Sequence, residues 1–121
     1  MSLVTLGTRQ FYQELLENLN RDFPQYTISV VELNSLRFKA RIHHAPLFLD
    51  VFYAANTGKI SFAIIQNNQR IFGCDNLNGW HVHPFGNPER HVPISEPSLE
   101  YIIRACRDIL NISAGTMKLQ E

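Results

Sequence analysis

Leu36-Arg37-Phe38-Lys39-Ala40-Arg41-Ile42-His43 alternates apolar and basic side chains without interruption. Successive side chains of a β-strand point to opposite faces, so Leu36, Phe38, Ala40 and Ile42 belong to one face and Arg37, Lys39, Arg41 and His43 to the other. A helix of the same sequence would scatter the cations around its axis. The stretch therefore predicts a half-buried strand, and half-buried strands of this kind belong to antiparallel sheets.

Working outward, further strand-like runs lie at about Tyr26 to Leu33, Leu47 to Ala54, Lys59 to Gln66 and Gln69 to Cys74. Asn34-Ser35, Ala45-Pro46, Asn56-Thr57-Gly58 and Asn67-Asn68 separate them, each short enough for a hairpin. An antiparallel meander of about five strands is expected. If the hairpin at Ala45-Pro46 pairs Arg41 with Asp50, the basic face also carries Phe48 and Phe52, and continued alternation adds Ile65, Arg70 and Phe72. Cations interleaved with aromatic rings can hold phosphates and stack bases, which makes Arg37, Lys39, Arg41, Arg70, Phe48 and Phe52 candidate nucleic-acid contacts. A solvated face whose cations pair with neighbouring carboxylates explains the same alternation.

Helical periodicity brackets the strands. Thr8 is expected to cap a helix reaching about Phe23, with Phe11, Tyr12, Leu15, Leu16, Leu19 and Phe23 on one stripe and Pro24 as its stop. A second helix is expected to start at Glu96-Pro97 and to bury Leu99, Ile102, Ile103, Cys106, Ile109 and Leu110. The tail beyond Asn111 contains Gly115 and is expected to fray. The fold class is thus α+β, a meander with an N-terminal and a C-terminal helix, in one domain of 121 residues with an ordered core of about 8–111.

Composition excludes several function classes. With 11 basic and 11 acidic residues, net charge carries no argument for a polyanionic partner, so one must be inferred from local distribution. No apolar run approaches the roughly 20 residues of a membrane span, and the N-terminus has no secretory pattern, so a cytoplasmic protein without membrane association is expected. Cys74 and Cys106 fall within apolar patterns and match no metal knuckle or redox spacing; both are expected to be core thiols. Formal neutrality is compatible with a homodimer.

The chemistry is concentrated between Asp75 and Pro97, a stretch holding three of the five histidines, the only tryptophan and four of the six prolines. It reads as a polar, turn-rich loop near one end of the sheet. Metal-free phosphodiester transfer needs a base, an acid and cations against the charge developing on phosphate. His81, His83 and His91 can share the proton transfers, Arg90 or Arg41 can hold the phosphate, and Asp75 or Glu96 can orient an imidazole. A metal site with His81 and His83 as neighbouring ligands, completed by His91 and Asp75, is the second chemistry these residues allow, although the spacing matches no zinc finger or helical metalloprotease motif. Histidines that merely cap strand ends or stack on Trp80 are the structural reading of the same residues.

Asp75-Asn76, His81-Val82-His83-Pro84, His91 and Glu96-Pro97, following a basic and aromatic meander, resemble the TumE-like proteins. Those are small proteins assigned the toxin role in bacterial and archaeal type II toxin-antitoxin pairs, each accompanied by a helix-turn-helix antitoxin. The resemblance runs from roughly Leu36 to Leu110. It implies RNA as the target and a protein antitoxin as the partner. The function expected from sequence is a toxin-like, metal-independent endoribonuclease without a cofactor; the alternatives are a nonenzymatic nucleic-acid- or protein-binding module and a metal-dependent hydrolase.

Overall fold

A computed structural model describes residues 2–119, with side-chain burial through Ser113. It is an α+β arrangement with seven antiparallel strands in sequence order. The elements are α1 (Thr8–Asp22), β1 (Thr27–Leu33), β2 (Arg37–His44), β3 (Leu47–Ala54), β4 (Lys59–Gln66), β5 (Gln69–Asp75), β6 (His81–His83), β7 (Val92–Pro93) and α2 (Leu99–Leu119). The bounds of β3 and β4 coincide with those read from the sequence. No helix among the described residues is long and apolar enough to cross a membrane.

The two-residue turns set the register. Asn67 and Asn68 both adopt positive φ, the conformation that matches hairpin twist, and they join β4 to β5. Ala45-Pro46, joined by a cis peptide, closes the β2–β3 hairpin so that His44 faces Leu47 and Arg41 faces Asp50. Phe38, Ala40, Ile42, Leu49, Val51, Tyr53, Ile60, Phe62 and Ile64 consequently share one face and are all buried. Helix α1 packs there against β2 and β3, and α2 packs against β3, β4 and α1. Phe11 is the centre of this layer: its ring stacks on Tyr53 at 4.6 Å and meets Phe38 at 5.8 Å. The opposite face, carrying Arg37, Lys39, Arg41, Phe48, Asp50 and Phe52, is covered by neither helix.

Several sequence expectations need correction. The meander does not stop at about five strands: the segment read as a loop at the sheet's end contributes β6 and β7 along its edge. Phe72 is not on the basic face. A bulge pairs Ile64 with Phe72 but Ile65 with Arg70, so the extra residue Ile71 reverses the alternation and drives Phe72 into the core. Thr8 is the first helical residue and not the cap; its hydroxyl donates to the Asn34 carbonyl, while Gly7 precedes the helix. Helix α2 begins after Ser98, whose hydroxyl accepts from the Tyr101 N–H, so Glu96 and Pro97 precede the cap. It continues through Leu119, past the expected limit near Asn111. A short 3-10 turn at Leu3–Thr5 also lies outside the expected core, yet Leu3 and Leu6 are buried against it and the Leu6 carbonyl accepts from Tyr53. Cys74 and Cys106 are buried free thiols, as expected, and burial pushes the Cys74 thiol up to about 12.

Candidate functional site

The edge of the uncovered face is built by two turns and a proline. Asn78 and Gly79 take positive φ and reverse the chain after β5, which returns as β6. Asn76 holds the start of that turn: its carboxamide accepts from the Ile60 N–H and donates to the Gly58 carbonyl. Asn76 is therefore a structural clamp. Pro84 ends β6 because it has no N–H to give, and further turns at Asn87 and Arg90 deliver the chain to β7.

Period-two geometry then does the positioning. Asp75 pairs with His81, and Gly73 pairs with His83. All four lie on the outer face, and both imidazoles lean over the same carboxylate. The Nε2 atoms of His81 and His83 are 3.2 Å apart. His81 Nε2 is 3.2 Å from Asp75 Oδ1, and His83 Nε2 is 3.2 Å from Asp75 Oδ2. His91, immediately before β7, stacks on His81 with ring centroids 5.0 Å apart and meets His83 edge-on at 4.4 Å.

The outer nitrogens of the two strand histidines are tied to the backbone. His81 Nδ1 lies 3.1 Å from the Gly79 carbonyl, and since a carbonyl only accepts, Nδ1 donates; Nε2 then faces Asp75 with a lone pair in the neutral ring or with a second N–H in the imidazolium. His83 Nδ1 has two neighbours, the Pro88 carbonyl at 3.2 Å and an Arg70 guanidinium nitrogen at 3.2 Å. The carbonyl satisfies the tautomer with a free Nε2; the guanidinium satisfies the tautomer with Nε2–H donating to Asp75. Burial, followed by the Arg70 charge, pushes the His83 imidazole below the usual histidine value, with Asp75 opposing. The cluster thus favours an uncharged His83, able to present either a proton or a lone pair toward Asp75.

The cluster opens on a cleft of about 430 Å³ lined also by Arg70, Trp80, Asn78 and Pro93. His83 is 3% exposed at its floor, while His91 is exposed at its mouth. A molecule in the cleft can touch His91 directly, whereas His83 is reached only through its neighbours. Trp80 is half-buried, packing on the core while lining the cleft.

The other sequence candidates divide. Arg70 joins the cluster, crossing over Gly73 to reach His83. Arg90 is exposed and makes no ion pair among the described residues, and Glu96 is exposed, accepting from the Ser2 hydroxyl at 3.0 Å, outside the cluster. Arg37 pairs with Glu32 at 3.2 Å, and Arg41 pairs with Asp50 at 2.9 Å while lying 3.8 Å over the Phe48 ring. Both pairs are partly exposed and of low net worth, so that a phosphate can displace them. Paired positions across the sheet run His81, Asp75, Ser61, Phe52, Lys39 in one row and His83, Gly73, Ala63, Asp50, Arg41 in the next. At the usual strand spacing, each row extends about 19 Å from the cluster to the β2 cations. Gly73 is the functional position that sequence reasoning missed; a glycine inside a strand was the available signal.

Comparisons with protein-family models, with curated proteins and with solved structures give no match for this chain.

Proposed function

We propose that this protein is an RNA-directed ribonuclease of the toxin type, cleaving phosphodiesters at the cluster of Asp75, His81, His83 and His91. The observation that carries the reading is that a proton-transferring cluster and a row of cations and aromatic rings share one uncovered sheet face. RNA lying across the strands would meet Arg41 and Lys39 through its phosphates and Phe48 and Phe52 through its bases, with the scissile linkage beside Arg70 at the cleft. Exposed His91 is the group that exchanges a proton with substrate, a role commonly worth a factor of 10² to 10⁴. Arg70 opposes charge developing on the phosphate. The TumE-like resemblance, carried by Asp75-Asn76, His81-Val82-His83-Pro84, His91 and Glu96-Pro97, supports the toxin assignment and implies a helix-turn-helix antitoxin as the partner.

The test is inducible expression with and without the product of the adjacent gene, scoring growth and total RNA integrity, alongside incubation of the purified protein with RNA. Growth arrest with RNA breakdown, relieved by the neighbour, is the expected result. Normal growth, intact cellular RNA and no cleavage by folded protein would leave a nonenzymatic binding module in its place.

A further inference from the structure

We infer that the Nε2 atoms of His81 and His83 and the carboxylate of Asp75 form a three-ligand site for a zinc-class divalent ion, with its open coordination position facing the cleft beside His91. Zinc binds imidazole nitrogen and carboxylate oxygen at about 2.0–2.2 Å, so neighbouring ligand atoms of a tetrahedral site lie about 3.3 Å apart. Here the two Nε2 atoms are 3.2 Å apart, and each lies 3.2 Å from its own Asp75 oxygen, His81 from Oδ1 and His83 from Oδ2, so the carboxylate faces both nitrogens.

The orientation of the rings is the second observation. Metal-ligating histidines donate their remote N–H to a carbonyl or carboxylate, which fixes the tautomer that leaves the ligating lone pair free. His81 has the Gly79 carbonyl for this purpose and His83 the Pro88 carbonyl. The two Nε2 atoms and the Asp75 carboxylate are electron-pair donors held 3.2 Å apart, and a divalent ion between them satisfies all three at once. Two imidazoles also select against magnesium and calcium, which prefer oxygen ligands. His91 brings its ligand atom within 4.8 Å of those of the other two imidazoles and is exposed. It stands beside the open position.

The site rests on geometry alone; its use on RNA rests on the ribonuclease reading, and departs from a metal-independent reaction. Water at the open position gives its proton to His91, its oxygen bonds to phosphorus as the bond to the leaving oxygen breaks, and His91 returns the proton to that oxygen. Such hydrolysis needs no 2′-hydroxyl, whereas transfer by imidazoles alone does.

Zinc uptake by the full chain, stripped with chelator and titrated with zinc against a chromophoric competitor, tests the site. Cobalt(II) as a spectroscopic substitute reports its geometry through visible bands of tetrahedral type. One zinc per chain is expected, with affinity falling by at least about a hundredfold in His81→Ala and Asp75→Asn and a single zinc retained in His91→Ala. Circular dichroism checks the fold of each variant; Asp75→Asn keeps the Oδ1 that accepts from the Leu77 N–H. Folded wild-type protein that takes up no zinc at micromolar concentration would overturn the proposal, as would unchanged affinity in both ligand variants. Zinc bound without RNA cleavage leaves the site standing and removes the ribonuclease reading. Cleavage that persists in protein shown by elemental analysis to be metal-free, or that requires the 2′-hydroxyl, overturns the ion's part in the reaction.

Discussion

Gly73 and His83 sit directly opposite each other across β5 and β6, and a Cβ on Gly73 would lie 3.0 Å from His83 Cδ2 and 3.1 Å from Arg70 Cδ. Arg70 is exposed and can move aside. The His83 ring yields only at a cost, being packed against His91, the Pro88 carbonyl and Asp75. Gly73→Ala is therefore expected to push the ring away from Asp75 and to destabilise the fold by about 1–3 kcal/mol, as overpacking does. Urea titration reads the stability, and the His83 imidazole resonances read the displacement; unchanged resonances would contradict it.

His91 separates chemistry from binding because it is the exposed member of the cluster. Its replacement by alanine is expected to lower RNA cleavage by about a hundredfold or more while RNA affinity changes little. Single-turnover cleavage and filter binding on the same preparation distinguish the two. A fall in affinity that accounts for the whole loss would make His91 a binding residue.

On the ribonuclease reading, the β2 cations act as a set. Replacing Arg37, Lys39 and Arg41 together by glutamine is expected to weaken RNA binding and to reduce the salt slope by about 2, because fewer counterions are displaced from a single strand. Titrations at several salt concentrations measure this. An unchanged slope in a folded variant would remove the sheet face from the binding surface.

Two changes test the scaffold. Phe11→Ala empties the centre of the helix–sheet interface and is expected to cost about 3–5 kcal/mol. Ser98→Ala leaves the Tyr101 N–H without its capping oxygen and is expected to cost about 1 kcal/mol. Denaturant unfolding measures both, and the order of the two losses is the prediction.

Much of this architecture was legible in the residues themselves, because strand alternation and short turns are local signals. The run from Leu36 to His43 identified the two sheet faces, and a two-residue link at Ala45-Pro46 leaves little freedom of register, so the pairing of Arg41 with Asp50 followed. Asp75, His81, His83 and His91 stood out as reactive types crowded into a segment without apolar period. What the chain could not disclose locally depends on long-range pairing. Strands of two or three residues interrupted by prolines carry no period, so β6 and β7 exist only because β5 offers an edge to pair with. That pairing, not spacing in sequence, turns His81 and His83 onto Asp75 and brings His91 onto the same spot. The bulge that sends Phe72 inward and leaves Arg70 beside His83 is likewise set by how β4 and β5 twist together. Residue types determined what chemistry was available; the sheet edge decided which atoms meet, because a ligand set requires separations of about 3 Å that only tertiary contact can impose.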